Sequence, residues 1–136
     1  MHARTIAYWI TTVLFSLALG ASGLADLAHA QPLVDAFDAL GYPGYLLTLL
    51  GGWKLLGVIA ILAPGVPRLK EWAYAGFFFE LSGGAFSHLA SGVGSPTMTI
   101  VLAALGLASW ALRADARLLG AFGWPQISTP RKTVDA

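Results

Sequence analysis

Lys54 lies in the middle of one apolar segment, and Glu80 lies at a matching depth in the next. A lone charge at the centre of a membrane-spanning helix costs about 2.5–3.5 kcal/mol on insertion scales. Two opposite charges offset that cost by meeting. Lys54 is nine residues into its segment, about 13.5 Å along a helix, and Glu80 is about 15 Å from the far end of its own. The depths agree, so contact is expected. Such a pair either fixes helix register or handles protons or headgroups, because intramembrane ionisable groups face interiors and mark pathways.

Three further residues could join that spot. His88 is two turns beyond Glu80 and about 80° around the helix, so it should line the same interior at the level of Asp26. An Asp26–His88 hydrogen bond is the simplest arrangement there. With His29, these two could in principle ligate a metal, but their spacing follows no ligand pattern and no metal is expected. Trp53, beside Lys54, is the aromatic with the best claim on a pocket, because a buried indole N–H needs a partner. Phe77, Phe78 and Phe79 cannot all face one way on a helix, so at least one meets lipid.

These residues have to be positioned by helices. Of 136 residues, 57% are hydrophobic and 11% charged, with a mean hydropathy of +0.69. A soluble domain carries about 25% charged residues. Four apolar stretches account for most of the chain: Thr5–Ala25, Tyr45–Ala63, Trp72–Ala90 and Thr97–Leu112. Spans need about 17–25 residues, and backbone in contact with lipid must satisfy its own hydrogen bonds. The expected fold is an all-α, four-helix transmembrane bundle over residues 1–112, followed by a cytoplasmic tail, 113–136.

Basic residues set the orientation. Arg4, Arg68, Lys70, Arg113, Arg117, Arg131 and Lys132 flank one end of the segments, whereas the first and third connections contain no Lys or Arg. The positive-inside rule places both termini in the cytoplasm of a bacterial inner-membrane protein. Ala28-His29-Ala30 resembles a signal-peptide cleavage site. The apolar run before it is longer than the 7–15 residues or so of a signal core, which argues against cleavage.

The first connection carries its own short helix, started by Pro32 and ended by Gly41 and Pro43. Leu33, Phe37 and Leu40 share one face, with Asp35 and Asp38 opposite, so it should lie in the interface. It serves either as a plain lid or as a gate over a lipid-accessible pocket. Gly20 and Gly23 in the first segment, and Gly51, Gly52 and Gly57 around Lys54, would let helices approach closely. Pro64-Gly65-Val66-Pro67 makes a compact turn, with Arg68, Lys70 and Glu71 at the headgroups. The fourth segment has no charge and reads as packing material. The tail, with Leu118, Leu119, Phe122 and Trp124 among basic residues, would lie on the inner leaflet.

There are no cysteines, which excludes disulfides, cysteine-ligated iron–sulfur clusters and haem attached through Cys. No nucleotide-binding glycine loop, nucleophile–base pair or nucleic-acid surface is present. A redox role would need a borrowed or diffusible cofactor, and independent catalysis by this chain is not expected.

The residues Phe37, Leu40-Gly41-Tyr42-Pro43, Gly51-Gly52-Trp53-Lys54-Leu55-Leu56-Gly57 and Leu62-Ala63-Pro64-Gly65, with Arg68 to Phe77, Glu80 and Ser87-His88, resemble the DoxX-like membrane proteins. The resemblance runs over about residues 5–112. It implies four transmembrane helices and an association with quinone-linked oxidoreduction, since the family takes its name from a subunit of a thiosulfate:quinone oxidoreductase. The leading expectation is a quinone-interacting or redox-accessory subunit, partnered by the bilayer and by other oxidoreductase subunits. In it Lys54 bonds a quinone carbonyl, Glu80 manages the proton and His88 relays outward. A small-solute transporter and a scaffold of a membrane complex are the alternatives.

Overall fold

The computed structural model describes residues 2–113, and among these it contains five helices and no strand. Helix α1 spans His2–Leu27, α2 Gln31–Leu40, α3 Tyr45–Leu62, α4 Pro67–Ser91 and α5 Thr97–Ala111. Pro32 sits in the first turn of α2, where its missing N–H costs nothing. Gly41 ends that helix at φ 78°, a left-handed conformation that glycine adopts without penalty. The amides of Gly41 and Tyr42 donate back to the carbonyls of Asp38 and Phe37, closing the helix in a Schellman-type turn.

The largest boundary difference from the sequence expectation is at α4, while α1 starts at His2 rather than Thr5. Helix α4 begins at Pro67, five residues before Trp72, so Arg68, Lys70 and Glu71 lie in its first turns rather than in a loop. The cause is Pro67 itself, whose fixed φ suits the first helical position. The expected inner-leaflet placement of Leu118, Leu119, Phe122 and Trp124 falls outside the described residues.

Contacts between side chains define the arrangement of the four longer helices. Asp26 and Ser22 of α1 meet Lys54 of α3, and Gly51 lies against Gly23, Asp26 and Leu27. Lys54 and Gly57 of α3 meet Glu80 and Phe77 of α4. Tyr74 and Gly84 of α4 meet Ser109 and Thr99 of α5. Thr12 and Phe15 of α1 meet Ser109 and Gly106 of α5. In each pair the earlier residue of one helix faces the later residue of the other. The four helices therefore form a closed antiparallel ring, α1–α3–α4–α5, as short connections between neighbours favour. Helix α2 lies at the end of the ring where α1 gives way to α3, touches α4 only lightly and buries no residue.

The ring has an inverted surface. Leu17, Trp72, Phe79, Phe86 and Leu89 are open to the surroundings, while Thr12, Asp26 and Ser109 are essentially inaccessible. A compact apolar layer of Phe15, Leu19, Ile61, Tyr74, Phe77 and Leu81 fills the middle. In water such an exterior would be an extended hydrophobic patch. In lipid it is a solvated face. Two helices, α1 over Ala3–Leu27 and α3, are long and apolar enough to cross a membrane, and α5 is a shorter apolar helix.

Candidate functional site

Lys54 is the centre of the site. Its ammonium lies 2.5 Å from Asp26 Oδ2 of α1 and 3.1 Å from Glu80 Oε1 of α4. It also donates to Ser22 Oγ at 3.2 Å. Of a lysine's three N–H donors, two serve Asp26 and Ser22, and the ammonium meets Glu80 as an ion pair.

The geometry follows from local sequence. Ser22 and Asp26 are four residues apart and so share one face of α1. A Cβ at Gly51 would lie 2.8 Å from the Gly23 carbonyl and 3.0 Å from Asp26 Cβ. Only with glycine there can α1 and α3 come close enough for Asp26 to reach Lys54. Gly57 admits the Phe77 ring in the same way, while positions 20 and 52 face open space and serve no close contact.

Asp26 and Glu80 differ in their surroundings. The Asp26 side chain is 2% exposed and Glu80's is 19% exposed. Glu80 opens into a cleft of about 420 Å³ between α3 and α4, walled by Trp53, Leu56, Trp72, Phe77 and neighbouring apolar residues. Trp53 is not a buried indole: it is exposed and forms one rim of this cleft. Position 53 follows Gly52 on the lipid side of α3, one step around the helix from the interior-facing Lys54. Of the three phenylalanines, Phe77 packs inward and Phe78 and Phe79 face out.

His88 and His29 lie elsewhere. His88 Nδ1 is 2.7 Å from the carbonyl of Val93, and its ring packs on Gly94. The anticipated Asp26–His88 pair is replaced by Asp26–Lys54, because the ammonium reaches the carboxylate first and the α4 C-terminal turn offers the imidazole a backbone acceptor. His29, with φ 50°, faces Thr48 Oγ1 through Nε2 at 2.8 Å. Among the described residues no three His, Asp or Glu side chains are grouped to hold a metal ion.

A second polar cluster lies toward the opposite end of the ring. Ser109 Oγ is 2.7 Å from Thr12 Oγ1 and 2.8 Å from the Tyr74 hydroxyl. One turn further, Arg113 is fully buried, pairs with Glu71 and lies 5.1 Å from the centre of the Tyr74 ring. Burial lowers the Arg113 guanidinium from its ordinary value, and the nearby Tyr8 opposes that shift. Arg4 donates to the Arg113 carbonyl at 3.0 Å, and the Trp110 indole donates to Glu71 at 2.9 Å. Sequence reasoning treated α5 as inert packing and missed this cluster. The available signal was weak: the Thr11-Thr12 pair and a hydroxyl at 109 within apolar runs, which in spanning helices tend to bond across an interface.

Among the described residues, a helical ring with an apolar exterior, polar groups held inside and two helices long and apolar enough to cross a bilayer has the character of a membrane protein. The chain belongs to the DoxX-like family, whose sequence profile matches residues 10–112. No curated protein and no solved structure matches it.

Proposed function

We propose that this chain is a four-span bacterial inner-membrane protein with both termini in the cytoplasm. Its charged cluster would receive a quinone from the bilayer, as an accessory subunit of a quinone-linked oxidoreductase. One observation carries the reading: Glu80, held by Lys54, opens into an aromatic-walled cleft on the lipid-facing side of the α3–α4 seam. Pockets of about 300–1,000 Å³ with apolar walls and a few polar groups suit small ligands. A quinone partitions into lipid and would enter from the side.

In this reading Lys54, whose ammonium is directed at Asp26, Ser22 and Glu80, orients Glu80, and Glu80 is the group that meets the ring. His88, turned to the carbonyl of Val93, is given no part. The apolar layer of Phe15, Leu19, Ile61, Phe77 and Leu81 separates the two polar clusters. That layer favours a side-entry ligand site over a through-passage for a solute.

For the orientation, Arg4, Arg68, Lys70 and Arg113 all lie at the end of the ring away from α2, which the positive-inside rule assigns to the cytoplasm. Reporter fusions after Gly65 and within α2 should report opposite sides of the membrane. The binding test uses purified protein in nanodiscs with a fluorescent ubiquinone analogue. Saturable binding is expected in wild type, weakened about tenfold or more in Glu80→Leu, which removes the polar group that meets the ring. Unchanged binding in a folded Glu80→Leu variant would reject the site.

A further inference from the structure

The cluster contains an odd number of charges. Asp26 and Glu80 contribute two carboxyls, and Lys54 contributes the single ammonium that touches both. Among the described residues no other titratable side chain joins them. Helix α1 offers only Asp26 and the neutral Ser22 at this level, and α5 contains no ionisable residue. On α2, Asp35 and Asp38 are exposed. His29 and His88 are turned to Thr48 and Val93. With every group ionised, the site would hold one uncompensated negative charge among apolar walls, an arrangement that low-dielectric surroundings penalise heavily.

We infer that the Asp26–Lys54–Glu80 cluster binds one exchangeable proton, carried by Glu80. Asp26 is the wrong seat: although it is the more enclosed carboxyl, which by itself would favour the proton, its contact with the ammonium is the shorter, 2.5 Å against 3.1 Å, and holds it as the carboxylate. Glu80 contacts Lys54 through Oε1, which leaves its other oxygen for the proton, and Glu80 is among the residues that line the cleft. A metal ion is a poor substitute for the proton, because the ammonium already occupies the space between the two carboxyls. The proton belongs to the cluster and resides where the contact with the ammonium is looser.

The inference deepens the proposed quinone site, because a ring carbonyl accepts hydrogen bonds and the Lys54 ammonium is directed at Asp26, Ser22 and Glu80. A protonated Glu80 supplies the missing donor. Its test is independent of any quinone. Infrared spectra of the ligand-free protein in nanodiscs at neutral pH should contain the carbonyl stretch of one protonated carboxyl. Glu80→Gln should remove that band. Asp26→Asn should remove it too, because the remaining Glu80 is then balanced by Lys54. Lys54→Met should instead strengthen it about twofold, since both carboxyls must then be neutral. Absence of the band in wild type would overturn the inference, as would its persistence in Asp26→Asn. The Asp26→Asn spectrum decides the matter even if Lys54→Met fails to fold. Failure of quinone binding with the band intact would remove the ligand reading and leave the proton site standing.

Discussion

Asp26, Lys54 and Glu80 come from three helices and are centred on one flexible cation, whereas Thr12, Tyr74 and Ser109 also come from three helices but are centred on a short hydroxyl. The first cluster opens at one edge into a cleft, and its charges do not cancel. The second is enclosed, and its hydroxyls need no counter-charge; the buried guanidinium beside it, Arg113, is met by Glu71. Both clusters tie the same ring together. Their difference is that neutral hydroxyls can satisfy one another completely, while an odd charge leaves a demand that only a proton or a ligand can meet. Structural duty and functional capacity are therefore separated along the bundle.

The sharpest way to break this contrast is Lys54→Met. It leaves two carboxyls facing each other inside the ring and should destabilise the protein by about 3–5 kcal/mol, the usual cost of removing one partner of a buried pair. Unfolding in mixed micelles would measure it. A loss below about 1 kcal/mol would mean the cluster does not hold the helices together.

A smaller effect is expected at the seat of the cluster. Gly51→Ala pushes a methyl against the Gly23 backbone carbonyl, which cannot rotate away, and should cost about 1–3 kcal/mol. Gly52→Ala, facing open space, should stay within about 0.5 kcal/mol. Equal effects at the two positions would deny that close α1–α3 packing places Asp26.

The smallest effect belongs to the hydroxyl cluster. Ser109→Ala removes the shared partner of Thr12 and Tyr74, and interhelical hydrogen bonds of this kind contribute about 0.6–1.7 kcal/mol in membranes. The same variant should leave ligand binding and the infrared band of Glu80 unchanged. Altered binding would show that the two clusters are coupled through the apolar layer.

The sequence alone determined the helical class. Long apolar runs, prolines in the turns and the scarcity of charge leave helices as the satisfied backbone in lipid, and the boundaries of α2, α3 and α5 were legible from Pro32, Gly41 and the edges of the apolar runs. Depth counting also brought Lys54 to Glu80, because rise per residue is fixed and the turn between α3 and α4 is short. Asp26 was visible as a polar residue at a helix end but was matched to His88, since counting along helices gives depth and not which faces meet across the ring. That choice was made by tertiary packing: glycines 23 and 51 bring α1 onto α3, and an ammonium on a long flexible stem reaches the nearer carboxylate. The same limit hid Thr12, Tyr74 and Ser109, whose partnership exists only once α5 closes the ring against α1 and α4.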